Sequence, residues 1–370
     1  MVSLTLLDRL IVAAHRAGCA PLIVVSTGDL PDHRRSQALG IPVEHARLAP
    51  RIAGPALVAS TRQWVVAADL AQLRRFGGRL ISTGGSLLPS GVVRELLPPT
   101  PSGAARGPLN RDVDGTESVE LEHLLSSLPR TSSVGGSVPV TDGASARIAS
   151  AALWGSLSSA SDGLVDRWFN RPAGRLLMSR WLTRTPITPN QISVFATVLG
   201  VSAGALLSSA SSSRRLAGAI LFQFSAIVDC VDGDIARSMF KESALGKWLD
   251  LAGDQVVHAA VFIGIAVGLS RIGTGPFLWL GASAVLGGLI AFAVVLRGMK
   301  SDKAGNHRLQ RLIDAATNRD FSVLVLALEC VGRLEWFLWM AAIGSHAFWV
   351  TALWLQGADK RDRSSASCKL

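Results

Sequence analysis

The sequence predicts two classes of structure in one chain: an N-terminal α/β domain, followed by an all-α polytopic membrane domain of six transmembrane helices. Three observations predict this. The 370 residues have a mean hydropathy of +0.35, with 49% hydrophobic and only 17% charged residues, too apolar for a soluble protein of this length. Long uncharged runs occupy only the part after about residue 185, whereas everything before it is punctuated by charge, Pro and Gly. Within residues 1–97, short helical and β-rich pieces alternate.

The chain opens on "LTLLDRLIVAAHRAG", apolar at helical spacing and stopped by Gly18. "PLIVVS" reads as a strand, "WVVAADLAQLRRF" as a helix, and "GGRLIST" and "GVVRELL" as a further strand and helix. This order predicts a small α/β domain with a parallel sheet over residues 1–97. Asp8, Arg9, His15 and Arg16 interrupt the opening helix, so it does not read as a secretory signal, and the N-terminal part is expected in the cytoplasm. Residues 98–145 are rich in Pro, Gly and Ser and are expected to be a linker with one short helix at "ESVELEHLLSSL".

Residues 146–187 combine Trp154, Trp168, Phe169, Leu176, Leu177 and Trp181 with Arg167, Arg171, Arg175, Arg180 and Arg184. Tryptophan and arginine at helical spacing beside a span suggest a juxtamembrane helix lying in the headgroup layer. A packed surface of the soluble domain is the other reading of the same residues. Apolar runs follow at 191–209, 216–236, 245–270, 275–297, 319–333 and 335–357, most of them near the roughly 20 residues needed to cross hydrocarbon. These six spans make up a membrane domain over residues 188–357, with a basic tail at 358–370. Arg and Lys crowd the segment before the first span, the connection after the second, "RGMKSDKAGNHRLQRLIDAATNR" and the tail. By the positive-inside rule both termini face the cytoplasm, in a multi-pass protein of the cell membrane.

The formal net charge is +10, but the basic residues gather at the ends of apolar runs rather than in one patch with interleaved aromatics. Anionic lipid and phosphate-bearing substrates are the expected partners, not nucleic acid. The four cysteines, Cys19, Cys230, Cys330 and Cys368, have neither metal-ligand nor disulfide spacing.

The most informative stretch is "VDCVDGDIARSMFKESALGKWLDLAGD", residues 228–254. Asp229, Asp232, Gly233 and Ala236 stand at i, i+3, i+4 and i+7, which places two carboxylates and two small residues on one helical stripe. Gly246, Asp250 and Asp254 repeat at i, i+4 and i+8 on the next span. Two antiparallel helices therefore present carboxylates to each other near one membrane face. A carboxylate at mid-membrane costs about 2.5–3.5 kcal/mol on insertion scales, so four of them need compensation. A divalent cation supplies it, and hard oxygen ligands with no nearby Cys or His cluster suit Mg²⁺ or Mn²⁺. Carboxylate-held metal beside a gap lined by Gly and Ala implies phosphoryl chemistry.

Written as Asp229-x2-Asp232-Gly233-x2-Ala236-Arg237-x8-Gly246-x3-Asp250-x3-Asp254, the stretch resembles the signature of the CDP-alcohol phosphotransferase family at every fixed position. The resemblance implies a six-helix membrane enzyme that moves a substituted phosphate from a CDP-alcohol to a second alcohol and releases CMP, in phospholipid or polyol-phosphodiester synthesis. It implies that Asp229, Asp232 and Asp250 ligate metal, that Asp254 is the general base and also touches metal in a two-ion site, and that Gly233, Ala236 and Gly246 let the nucleotide approach. Arg237 is then a phosphate binder or a helix-end arginine reaching for the interface. The "TPNQIS" that opens the first span resembles the family too, with Asn190 as a donor-nucleotide contact or simply a helix-capping group. Acceptors in this family often carry phosphate, and Arg171, Arg297, Lys300 and His307 are basic residues expected on the cytoplasmic side to bind a polyol or polyol-phosphate acceptor. His258, four residues after Asp254, either tunes the base or packs among tryptophans.

"DGLVDRWFNR" resembles the juxtamembrane part of a subfamily in which a Rossmann-like, cytidylyltransferase-like domain is fused to the phosphotransferase. "RLIVAAHRAGCAPLIVVS" resembles the first helix and second strand of such a nucleotidyltransferase, without the glycine-rich phosphate loop that precedes them in the family. Cytidylyl transfer is accordingly expected to be absent, leaving this domain to pack or to pair subunits, and the sequence permits a homodimer. An ion or proton transporter and a catalytically retired scaffold are the competing classes. "DGDIAR" occurs once with no mirrored half, which disfavours the transporter.

Overall fold

The computed structural model describes residues 4–26, 28–47, 55–82, 87–93, 127–157, 163–301 and 321–367. They fall into two compact units, Met1–Ser156 and Leu157–Leu370.

In the first unit, α1 (Leu6–Arg16) begins at Thr5, whose hydroxyl accepts the Asp8 N–H and satisfies one of the open amides of the first turn. β1 (Ile23–Val25), α2 (Arg34–Ala38) and β2 (Glu44–Ala46) follow, with β1 and β2 paired in parallel. The buried Asp8 carboxylate accepts the Ser36 N–H at 2.8 Å, which ties α1 to α2. Next come β3 (Ala56–Ala59), β4 (Gln63–Trp64), α3 (Ala67–Phe76), β5 (Arg79–Ile81), β6 (Leu87–Val93), β7 (Arg130–Ser132) and β8 (Val138–Pro139). Ala13 and Ala14 of α1 meet Leu70 and Leu73 of α3, together with Val65 and Leu80, in one apolar core. α4 (Gly143–Ser156) ends the unit.

The expected parallel sheet is corrected by these pairings. The larger sheet has the order β3-β6-β5-β7 and is mixed: β3/β6 and β5/β6 are antiparallel and β5/β7 parallel, while β4/β8 is a separate antiparallel pair. The cause lies in the connections. A parallel crossover needs about a dozen residues or more, and β5 ends at Ile81 only a few positions before β6 begins at Leu87. The expected helix at "GVVRELL" is likewise corrected at its start, where Gly91, Val92 and Val93 extend β6.

The helix expected at "ESVELEHLLSSL" lies almost wholly outside the described residues, but the end of the same Ser- and Gly-rich stretch supplies β7 and β8. Asp69, buried near the start of α3, organises it. Its carboxylate accepts from the Ser133 hydroxyl at 2.6 Å, from the Val134 and Gly135 amides at 2.8 Å each, and from the Ser137 hydroxyl and amide. Burial pushes the Asp69 carboxyl up, yet these hydrogen bonds outweigh it and hold it below the usual carboxylate range.

The second unit starts with a helix, α5, built from a π-helical segment Asp166–Asn170, an α-turn Arg171–Gly174, a second π-helical segment Arg175–Ser179 and a last α-turn Arg180–Leu182. One side of it is exposed and apolar, with Trp168 at 76%, Leu176 at 79% and Trp181 at 68% of full exposure. α6 (Pro189–Leu207), α7 (Ser212–Ser238), α8 (Ala244–Ser270), α9 (Phe277–Ser301), α10 (Phe321–Val331) and α11 (Leu334–Ser367) complete the unit. A capping box at Thr188 and Gln191, with Pro189 in the first turn, starts α6. Ser243 starts α8 by accepting the Gly246 N–H at 2.9 Å.

Five of these helices are long and apolar enough to cross a membrane: Pro189–Leu207, Ser212–Ser238, Ala244–Ser270, Phe277–Arg297 and Leu334–Trp354. The fifth of the six expected spans, 319–333, is represented by the 11-residue α10, short of the roughly 20 residues a crossing needs. Residues 302–320, which precede it, lie outside the described set.

α6, α7 and α8 pack with almost no side-chain thickness between them. A Cβ on Gly218 would lie 2.9 Å from the Ala203 carbonyl oxygen, and one on Gly204 would lie 2.5 Å from that of Ala260. Gly264 and Gly268 are held equally close to the backbones of Gly204 and Leu207. Small residues let helix backbones approach where lipid supplies no hydrophobic drive to associate. Around this seam Phe222, Val257, Val261 and Ile265 form a buried core with Phe337 and Leu338 of α11. Within it, a buried ion pair joins Arg215 of α7 to Glu329 of α10, with Nε 3.2 Å from the carboxylate.

Candidate active site and metal centre

The α7–α8 turn brings the two acidic stripes together. Carboxylate oxygens of Asp229, Asp250 and Asp254 lie within 4.8 Å of one another, a group able to hold a metal ion. Asp229 is half-buried, Asp250 exposed and Asp254 buried, so the group opens to solvent on the Asp250 side and is closed behind Asp254. Among the described residues no other cluster of metal-ligating side chains of this kind occurs. Three hard oxygen donors with no sulfur or imidazole among them fit Mg²⁺ or Mn²⁺.

Asp232 is buried one turn after Asp229 and takes a hydrogen bond from the Ser193 hydroxyl of α6. It is not a member of the three-carboxylate group, although the charges of Asp229 and Asp250 both act on it. Ser193 is a site residue that the sequence reading did not single out; its place near the start of α6, three residues after Asn190, was the available signal.

Gly233 and Gly246, small residues expected to admit a nucleotide, are covered by side chains. A Cβ on Gly246 would lie 3.0 Å from the Asn190 Oδ1, so the Asn190 side chain from α6 rests directly over Gly246. Gly233 is overlain by the Arg237 guanidinium, 3.1 Å from where a Cβ would be. Ala236 is half-buried, and its carbonyl accepts the Lys241 N–H at 2.7 Å as α7 ends.

The nominated arginines are arranged differently from one another. Arg171 and Arg175 of α5 and Arg237 of α7 all reach Asp234, whose side chain is 1% exposed. Arg171 Nη1 donates to Oδ1 at 2.6 Å, Arg175 Nε to Oδ2 at 2.6 Å, and Arg237 Nη2 to Oδ1 at 3.3 Å. Asp234 was visible in "DGDIAR" but carried no role in the sequence reading, because two of its three partners, Arg171 and Arg175, are about 60 residues away in sequence. Close by, the buried Asn170 donates to Asp166 at 2.7 Å and accepts from Gln223 of α7 at 2.6 Å. Arg297 is exposed on α9, the side chain of Lys300 is outside the described set, and so is the whole of His307. His258 packs edge-on to Phe321, with ring centroids 4.9 Å apart, and stacks near Phe262 at 6.2 Å; its partners are phenylalanines rather than the expected tryptophans.

Known proteins resemble the part of the chain that holds this group. Residues 186–356 match the family described as CDP-alcohol phosphatidyltransferase. A curated "Bifunctional IPC transferase and DIPP synthase" of Rubrobacter xylanophilus is 30% identical over 182 residues, 49% of this chain and 39% of that protein. The protein of the same name from Archaeoglobus fulgidus is 28% identical over 199 residues, 52% of this chain and 37% of that one. The chain thus spans less than half the length of these relatives. Among solved structures, phosphatidylinositol phosphate synthase from Mycobacterium tuberculosis, in complex with manganese and citrate, aligns with a TM-score of 0.37 and 20% identity, covering 50% of this chain and 87% of that one. The matched region takes in both helices that contribute to the carboxylate group, so the acidic residues lie inside the part of the chain, residues 186–356, that is similar to the CDP-alcohol phosphatidyltransferase family.

Proposed function

We propose that the chain is an integral-membrane CDP-alcohol phosphotransferase that moves a substituted phosphate from a CDP-alcohol to an acceptor alcohol, a polyol phosphate in our reading, and releases CMP. The observation that carries this is the convergence of Asp229, Asp250 and Asp254 from two helices onto one point inside the matched region. Asp229, Asp232, Asp250 and Asp254 are the proposed ligands of two divalent ions, Mg²⁺ or Mn²⁺. When bound, such ions offset charge on the CDP pyrophosphate and on the departing CMP.

The chain's own groups do the rest. Asp254, the buried member of the group, accepts the proton of the attacking hydroxyl, a role worth about 10²–10⁴ in rate. The Ser193 hydroxyl holds Asp232 in one orientation. Asn190 and Gly246 form one wall of the donor-nucleotide site, and Gly233 and Ala236 leave room for it. Arg237 faces donor phosphate, and Arg171, Arg297 and Lys300 are the candidates for acceptor phosphate. Six spans, a cytoplasmic active face and cytoplasmic termini, α5 lying in the headgroups and a homodimer complete the reading. The exposed apolar side of α5 supports its place at the interface.

The test is CMP release by the purified full chain in nanodiscs. CDP-diacylglycerol and CDP-inositol are supplied in turn as donors, each with inositol phosphate or glycerol phosphate as acceptor, with and without chelator. Release with one pairing, abolished by chelator and restored by Mg²⁺ or Mn²⁺, is expected. No release with any pairing, or release indifferent to chelator, overturns the proposal.

A further inference from the structure

Asp234 lies inside the acidic signature, yet its geometry differs from that of the four carboxylates around it. It follows Asp232 by two residues, about 200° around the helix, so it points away from the metal stripe. Its two oxygens take four donors: Arg171 Nη1, Arg175 Nε and Nη2, and Arg237 Nη2. A carboxylate offers about four lone-pair sites, so little is left for a metal ion. The side chain is 1% exposed, and three guanidiniums around one carboxylate leave two net positive charges at the end of α7.

The clamp extends beyond the ion pairs. At Gly174, between Arg171 and Arg175, a Cβ would lie 2.8 Å from Val231 Cγ2 and 3.3 Å from the Ile227 carbonyl, so α5 and α7 are in near-backbone contact there. Asn170 bonds Gln223 one helical stretch further along α7. The two π-helical segments widen α5 and stand on either side of the α-turn that carries Arg171 and Gly174. On the far side of the clamp, Arg237 reaches back from Asp234 to lie over Gly233, beside the space assigned to the nucleotide.

We infer that Asp234 is a positioning residue and not a metal ligand: it gathers Arg171 and Arg175 of α5 with Arg237 of α7, so that a guanidinium is held over Gly233 at the donor-phosphate side of the site. This rests on the proposed CDP-alcohol chemistry only for the identity of the phosphate. The clamp makes the juxtamembrane helix part of the substrate site rather than a passive anchor. Asp234→Asn removes the charge that gathers the arginines. They then repel one another, and Arg237 leaves its place over Gly233.

The experiment compares the full chain in nanodiscs as wild type, Asp234→Asn, Asp234→Glu and Asp229→Asn. It measures Mn²⁺ affinity by electron paramagnetic resonance, CDP affinity by titration, and KM and kcat for CMP release. Asp234→Asn is expected to leave Mn²⁺ affinity within about twofold of wild type while weakening CDP binding and raising donor KM at least tenfold; such an interaction with a charged group is worth about 1.4 kcal/mol or more. Asp234→Glu is expected to recover most of the loss. Asp229→Asn is expected to lower Mn²⁺ affinity. Loss of Mn²⁺ affinity in Asp234→Asn equal to that in Asp229→Asn overturns the inference, as does unchanged CDP affinity and KM. If no variant, wild type included, releases CMP, the proposed reaction fails, while the Mn²⁺ and CDP titrations still decide the role of Asp234.

Discussion

Three carboxylates held together without a cation store repulsion, and that repulsion can be measured. For a pair at 4.8 Å, the outer separation within the Asp229, Asp250 and Asp254 group, Coulomb's law at an effective dielectric constant of about 20 gives about 3.5 kcal/mol. Asp250 is exposed, so solvent and salt reduce its share to about 1–2 kcal/mol per pair. Asp250→Asn removes two of the three pairs. The metal-free protein is therefore expected to gain about 2–4 kcal/mol of stability at low salt, and to lose most of the gain as salt is raised. In wild type, a divalent ion at 100 times its Kd adds about 2.7 kcal/mol, and the variant, short of one ligand, is expected to respond far less. Thermal unfolding in nanodiscs, with EDTA and then with Mg²⁺ or Mn²⁺, reads both effects. An Asp250→Asn protein that is no more stable than wild type in EDTA, yet is stabilised by metal to the same extent, refutes the reasoning.

The other outcomes follow from neighbouring residues. Asp254→Asn is expected to slow CMP release about 10²–10⁴-fold while CDP still binds; near-normal turnover removes Asp254 from the base role. Gly246→Leu pushes Asn190 from its place 3.0 Å away and is expected to weaken CDP binding at least tenfold, whereas Gly288→Leu, with nothing within 4 Å of its Cβ, serves as the control. Equal CDP affinity in both variants puts the nucleotide elsewhere. In the N-terminal unit the Asp69 carboxyl is held below its ordinary value of about 3.9. Its contribution is therefore complete above that value and is lost as pH falls through the lower folded-state value. Amide exchange at residues 133–137, corrected for intrinsic rate, is expected to lose protection only in strong acid in wild type and at every pH in Asp69→Ala; equal protection in the variant discards the account.

The helical periodicity of the second unit made its long helices and both acidic stripes readable, because a lipid-crossing helix must carry its pattern in consecutive residues. Asp250 and Asp254 share one stripe by their i, i+4 spacing, and Asp229 meets them from the other helix, while Asp232 of its own stripe stands outside the group. What sequence could not supply was pairing across distance. Asp234 looked like one more acid until Arg171 and Arg175 arrived from α5, and Ser193 looked like an ordinary helix residue until Asp232 was placed beside it. The sheet was misjudged for a related reason: strand direction is set by the length of the connection, and Gly91 to Val93 read as a helix start when taken without their partners Ala56 to Val58. The described end of the Ser- and Gly-rich stretch gave no strand signal in sequence because residues 133–137 are held by a single distant carboxylate, Asp69.

The glycine-lined seam among α6, α7 and α8 has a consequence for how such a protein can change. Where backbones touch, as at Gly204 against Ala260 and Gly218 against Ala203, there is no side chain to exchange and no slack to absorb an exchange. The frame that fixes the acidic stripes can therefore be kept or broken, but hardly tuned. On the proposed function, adaptation to a new alcohol has to be worked at the margins, in exposed residues such as Arg297 that lie outside the seam and outside the Asp234 clamp. A search for altered substrate choice by directed evolution would do best to leave the seam untouched and to randomise that rim.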